Sequence, residues 1–200
     1  DVDRCERDPE YAFLVNSIGT YNIAVASKEI GAKLIYISTA GVFDGFKKTP
    51  YKEEDKPNPQ NYYGHSKFLG ELAVKGILKN YLILRVWWMM GGGPVKDQKF
   101  VAKIIKQLKN PKIKEINAVT DQIGSPTFAK DLIRAVKILI SKNKTRTFHM
   151  SNKWSASRYN VAKLIVKILN FKIPVKPVKM SFFNLDAKWT VNEVLVSKID

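Results

Sequence analysis

The sequence holds one cysteine, Cys5, and two histidines, His65 and His149, in 200 residues. A lone thiol excludes an internal disulfide, and so few soft ligands leave no cluster for zinc or another metal. Long apolar runs are missing as well. The most hydrophobic stretch, Tyr81 to Met90, is interrupted by Arg85 and closes on Gly91-Gly92-Gly93, short of the roughly 20 residues a spanning helix needs. The opening Asp1-Val2-Asp3-Arg4 shows no basic segment followed by an apolar one, the mark of a secretory signal. No membrane partner is expected, and a cytoplasmic location is. Acidic residues are scarce: 18 Asp and Glu against 34 Lys and Arg give a formal charge of +16. A basic surface attracts polyanions by counterion release. Here, however, the excess is lysine scattered along outer helix faces, as in Lys103, Lys106 and Lys109. With no arginine block and no aromatic RNA-binding signature, it reads as a solvated surface, and no nucleic-acid partner is expected. The same charge can draw in phosphate-bearing substrates.

What is present suits one core and a small second lobe, with 45% of residues hydrophobic. Helical and strand periodicities alternate, which predicts an α/β fold with a parallel sheet. Asp8 caps and Pro9 opens a helix that Gly31 stops, so a helix is expected over 10–30. Strands are expected over 33–38, 81–86, 116–119 and 147–150, and helices over 63–78, 98–108, 127–140 and 157–169. The stretch 44–61, with Pro50, Pro57, Pro59 and several charges, reads as a loop.

The chemistry lies in Tyr63-Gly64-His65-Ser66-Lys67. Residues at i and i+4 of a helix share one face, so the phenol of Tyr63 and the ammonium of Lys67 stand one turn apart. A phenol titrates near pH 10, and a neighbouring cation favours its phenolate, making it a proton-transfer group. The spacing alone is unspecific, because a surface pair of this kind is common. Its context adds weight: the strand Leu34 to Ile37 runs into Ser38-Thr39-Ala40-Gly41, which puts hydroxyls at the carboxyl end of a parallel strand, where α/β sheets bind ligands. The two histidines have no partner pattern and read as structural, and Asn16 reads equally well as a buried polar residue bonded to main chain.

Several ordered segments together resemble the extended short-chain dehydrogenase/reductases, and within them the dTDP-4-dehydrorhamnose reductase family of sugar-nucleotide-binding proteins. They are Val2 to Glu6 with Asp8-Pro9-Glu10, Val15 to Thr20, Ser38-Thr39 with Val42-Phe43-Asp44-Gly45, Pro50 to Glu53, Tyr63 to Lys67 with Gly70-Glu71, Arg85 with Trp88, and Asp121 to Thr127. The resemblance spans nearly the whole chain. It implies a Rossmann-like doubly wound sheet, its partial dinucleotide-binding domain over 1–112, with a small C-terminal α/β substrate lobe mainly over 113–200. It also implies hydride transfer between NADPH or NADH and a 4-keto-6-deoxy sugar nucleotide. Tyr63 would donate the proton, Lys67 would bind the nicotinamide ribose and lower the tyrosine pKa, and Thr39 would hydrogen-bond the reacting oxygen. Ser38, Val86 and Trp87, with Tyr63 and Lys67, would contact the cofactor. Thr39, Ala40 and Trp88 would contact the sugar.

The family's glycine-rich phosphate loop, in the first βα turn, has no counterpart here, since Gly91-Gly92-Gly93 stands in another part of the fold. The resemblance therefore implies that roughly two βαβ-sized pieces of about 30 residues precede Asp1, the residue choosing between NADH and NADPH among them, and that the chain alone binds dinucleotide poorly. Where rhamnose-forming relatives follow Ser-Thr with aspartate and tyrosine, this chain has Ala40 and Gly41, so the sugar stays open. Two other readings stay open too: a non-catalytic subunit like the regulatory partner of methionine adenosyltransferase, and a sugar-nucleotide epimerase or dehydratase. A homodimer is compatible with each.

Overall fold

The strand with the most apolar sequence takes the middle of the sheet. In the computed structural model, which describes residues 1–197 (94 and 95 by backbone alone), β2 (Tyr81–Val86) lies between β1 (Leu34–Thr39) and β7 (Arg146–His149), all parallel. Leu34 pairs with Tyr81 and the ladder runs to Thr39 with Val86. Leu82, Ile83 and Leu84 are fully buried, as a strand covered on both faces must be. Alternate side chains feed two cores. On one face Tyr36 and Ile83 pack with Ala24 of α3 (Gly19–Glu29), Val74 of α4 (Tyr62–Ile77) and Leu78, which caps α4. On the other, Leu82, Leu84 and Val86 pack with Leu132 and Leu139 of α7 (Ala129–Ser141). Helices on both faces of a parallel sheet make the doubly wound, Rossmann-like arrangement expected.

The helix expected over 10–30 is interrupted. After α1 (Val2–Arg7), α2 (Pro9–Phe13) gives way to a π-helical turn at Leu14–Ile18 before α3 resumes. Asp8 caps α2 by accepting from Tyr11 N at 3.1 Å, with Pro9 in its first turn. Buried residues on this run are small: Ala12, Ser17, Thr20, Ala24 and Ser27. That lets it approach α4 closely, where Ser17 Oγ donates to Ser66 O at 2.9 Å and Asn16 Nδ2 to Ser66 Oγ at 3.0 Å.

A third core joins Ile104 and Leu108 of α6 (Phe100–Leu108) to Ile116 and Ala118 of β4 (Ile116–Val119) and to Ala162 and Val166 of α8 (Arg158–Ile168). β4 pairs with β9 (Val175–Val178), which tolerates Pro177 because it is bonded on one side only. α6 thus packs with elements from the second half of the chain, while β7 returns to the main sheet. The last three positions of the lobe expected over 113–200 lie outside the described residues.

Short strands link this third core to the main sheet. β3 (Met89–Met90) pairs with β6 (Thr127–Phe128), and β5 (Ile123–Gly124) lies between β8 (Ala156–Ser157) and β10 (Asn192–Glu193). Between β3 and α6 lies the short α5 (Gly93–Lys96). The proline-rich loop is held by Asp44, which accepts from Tyr51 Oη at 2.6 Å and Asn58 Nδ2 at 3.2 Å, and by a stacked Phe43–Tyr51 pair. Among the described residues no helix is long and apolar enough to cross a membrane.

Candidate active site

β1 ends at Thr39, and a single 3₁₀ turn, Ala40–Val42, carries the chain away. Thr39 Oγ1 accepts from Gly41 N at 3.0 Å, which leaves the hydroxyl proton free to be donated. α4 begins over this turn, its first N–H groups capped by Asn61, whose Oδ1 accepts from Gly64 N at 2.9 Å. Close approach is possible because position 64 lacks a side chain: a Cβ there would stand 2.2 Å from Gly41 O. The Gly64→Ala variant should therefore push α4 off the turn, with a stability loss of about 1–3 kcal/mol seen as a lower thermal midpoint. An unchanged midpoint would show that the turn yields instead.

Tyr63, in the first turn of α4, meets Thr39. Burial raises the Tyr63 phenol above its ordinary pKa, and the hydrogen bond with Thr39 pulls it back. The buried thiol of Cys5, from α1, lies close enough to act against the phenolate. Lys67 follows one helical turn on. Its Nζ stands 4.1 Å from the centroid of the Tyr36 ring, and burial depresses its pKa to about 8, with Glu71 opposing. Among the described residues this ammonium has no hydrogen bond and no contact ion pair, so its three donors remain available. Burial works against the charged form of both groups, the cation rests on the Tyr36 ring, and the hydroxyl of Thr39 favours the phenolate.

Below this surface lies a buried ionic knot. Glu71 of α4 accepts Ser38 Oγ at 2.6 Å and Arg85 Nε at 2.8 Å on one oxygen, and Arg85 Nη2 at 2.7 Å and Lys75 Nζ at 3.3 Å on the other. Burial alone would push the Glu71 carboxyl up, but Arg85, Ser38 and Lys75 hold it below the usual range. Ser38 and Arg85 are register partners on β1 and β2, so the knot ties both strand ends to α4. Arg85 Nη1 also approaches His149 Nε2 at 3.5 Å, while His149 Nδ1 faces Tyr51 O and Val196 O at 3.1 and 3.2 Å.

The structure thus brings together Thr39, Tyr63 and Lys67, and sets Trp87 beside them: the position of a Cβ on Gly41 is 3.5 Å from the Trp87 ring and 3.3 Å from Thr39 Oγ1. Ala40 is buried beside Val42 and Phe43. The Ser38 hydroxyl goes to Glu71, and the Val86 side chain packs with Leu82 and Leu84. Trp88 is buried and its Nε1–H goes to Glu193. Trp88 also adopts a left-handed backbone, φ 40°, a conformation that costs a non-glycine residue on the order of 1–3 kcal/mol. Glu193 escapes a reading of the sequence, because nothing about a two-residue strand near the end points to indoles more than a hundred residues away.

A family described as the RmlD substrate binding domain matches residues 1–199. The spore coat polysaccharide biosynthesis protein SpsK of Bacillus subtilis is 39% identical over 166 residues, 83% of this chain and 56% of that protein. The dTDP-4-dehydrorhamnose reductase of Sinorhizobium fredii is 36% identical over 174 residues, 84% of this chain and 57% of that one. The chain thus spans a little over half the length of these relatives. The crystal structure of a Bacillus anthracis dTDP-4-dehydrorhamnose reductase in complex with NADP is 38% identical and superposes with a TM-score of 0.94, covering 100% of this chain and 69% of that one. By fold and by sequence along almost its full extent, this chain belongs to the RmlD substrate binding domain family.

Proposed function

We propose that the protein carrying this chain reduces the keto group of a 4-keto-6-deoxy sugar nucleotide at the expense of NADPH, and that Tyr63, Thr39 and Lys67 perform the proton chemistry. The observation that carries the reading is the seating of the first turn of α4, with Tyr63 and Gly64, directly on the turn that follows Thr39, with the ammonium of Lys67 one helical turn away. Membership of the family supports it, and the NADP found with the Bacillus anthracis reductase favours NADPH.

The donor set fits a dinucleotide's ribose. Lys67 offers three N–H groups with no competing partner among the described residues, and a vicinal diol accepts such donors well. When bound, the dihydronicotinamide supplies the hydride. The chain's own residues manage the oxygen. Thr39, with one lone pair taken by Gly41 N–H, turns its proton from Tyr63 to the carbonyl and orients it. Tyr63, kept protonated by burial, hands over the proton as negative charge grows on that oxygen. A neutral, desolvated phenol suits an acid better than a preformed phenolate does. The test is oxidation of NADPH by the protein, expressed with whatever sequence flanks this chain, in the presence of a dTDP-4-keto-6-deoxy sugar. No oxidation would overturn the reading.

The depressed pKa of Lys67 predicts an alkaline limb. As pH rises through about 8, the ammonium loses its proton and with it the charge that holds the ribose. kcat/KM should fall with a slope near −1 above that pH, and in Lys67→Met the limb should vanish along with most of the affinity for NADPH. For stability the sign is opposite: the folded state releases this proton before the unfolded chain does, so its penalty is full below about 8 and fades as pH climbs toward the ordinary lysine value.

A further inference from the structure

Trp87 and Trp88 follow β2, and on an extended strand neighbours face opposite ways. The left-handed backbone of Trp88 breaks that alternation, and both indole Nε1–H groups converge on one oxygen, Oε2 of Glu193. Trp88 Nε1 lies 3.0 Å from it, and the other oxygen, Oε1, accepts the Thr190 hydroxyl at 2.8 Å. Glu193 is 2% exposed. It sits on β10, whose partner residue on β5 is Gly124. A Cβ at Gly124 would stand 2.7 Å from the Trp88 indole, so the ring occupies the space that glycine leaves. Among the described residues the charged group acting on this carboxyl is Arg158, at the start of α8, its guanidinium 3.7 Å from the Trp88 ring centroid and 4.9 Å from that of Phe100. Trp87, Trp88, Thr190 and Gly124 bring no charge of their own. Burial pushes the carboxyl up to about 7, against the pull of Thr190, Arg158 and the two indoles.

Trp87 is the member of this cluster that reaches the proton-transfer site. Its N–H end is tied to Glu193, and its benzo edge lies on the turn that carries Thr39. We propose that Glu193 is a positioning residue for the reduction: by anchoring both indoles on one oxygen it fixes the Trp87 ring against the Thr39–Gly41 turn, and the fixed ring bounds the site where cofactor and keto sugar must meet. Glu193 touches neither acceptor nor cofactor and acts through Trp87. The inference rests on the reductase reading above, and the anchor itself can be read without turnover.

Glu193→Gln keeps the size of the side chain and removes its charge, and Trp87→Phe keeps an aromatic ring and removes the N–H. In ¹⁵N-labelled wild-type protein, two of the four indole N–H signals should lie downfield, as expected of donors to a carboxylate, and should move together as pH crosses about 7. In Glu193→Gln both should return toward the other pair and lose that titration. With NADPH and a keto-sugar nucleotide, Glu193→Gln should raise KM about tenfold with kcat within about twofold, the signature of lost binding rather than lost chemistry. Glu193→Asp should recover part of that loss. Trp87→Phe, which leaves the Trp88 contact in place, should raise KM in the same way if Glu193→Gln does not fold. Unmoved indole signals, an unchanged KM, or a fall in kcat alone would overturn the proposal. If the wild type reduces no keto sugar while the two indole signals behave as described, the reductase reading falls and the hold of Glu193 on Trp87 stands.

Discussion

Tyr63→Phe is expected to reduce kcat for keto-sugar reduction by roughly 10²–10⁴-fold, the contribution of a positioned general acid, while NADPH binds within about threefold of its wild-type affinity. The phenylalanine ring keeps the packing of α4 against the Thr39 turn and lacks only the proton. Thr39 remains to orient the carbonyl, but its alcohol is a far weaker acid than a phenol, so it cannot replace the donor. Single-turnover oxidation of bound NADPH separates the two effects: the burst should slow by the same factor as kcat, with cofactor affinity read by fluorescence. Full turnover in this variant would remove Tyr63 from the mechanism and leave the meeting of the two hydroxyls without a catalytic role.

The second large effect concerns stability. Arg85→Met leaves the Glu71 carboxylate at 0% exposure with only Ser38 and Lys75 to answer it. Removing one partner of a buried pair costs about 3–5 kcal/mol, and the urea midpoint should fall accordingly. Glu71→Met in the same background removes the orphaned charge and should recover most of the loss, because an apolar pair of similar volume often replaces a buried ion pair with little cost. A loss under about 1 kcal/mol in Arg85→Met would show that water reaches the knot. The folded-state pKa of Glu71 is depressed, so its stabilisation is complete above the ordinary glutamate range and is lost as pH falls through the folded value. Acid should therefore release the strand ends from α4. Because Thr39 adjoins Ser38 on β1, that release would reach the turn after Thr39 as well.

The main elements were legible because each obeyed one dominant rule. β2 is an apolar run broken only by Arg85, and its predicted span over 81–86 is the span observed. Asp8-Pro9 announced a helix start, and the strand expected over 116–119 is β4. The strands that could not be read are two residues long, as in β3, β5, β6, β8 and β10; they have no periodicity of their own and exist because distant segments offer edges. β9 was hidden by Pro177, which signals a break in any strand bonded on both sides. Within the site, the i, i+4 spacing of Tyr63 and Lys67 was visible, and so was the strand-end place of Thr39. The commitment of the Ser38 hydroxyl to Glu71 was not, because it depends on a bond across 33 positions. Nor was the resting place of the Lys67 cation on Tyr36, which is settled by the packing of α4 over β1.

The π turn at Leu14–Ile18 has a consequence for how this protein can change. Ala12 and Ser17, both buried, are five apart, whereas Thr20, Ala24 and Ser27 follow at ordinary helical intervals. The run is one residue out of phase with itself, and the surplus residue is what keeps both halves turned toward α4. Losing it would rotate everything downstream by about 100°, swinging the small-residue stripe outward and bringing bulky side chains such as Tyr21 to the seam. Point substitutions on the outer face are free to accumulate here; insertions and deletions are not.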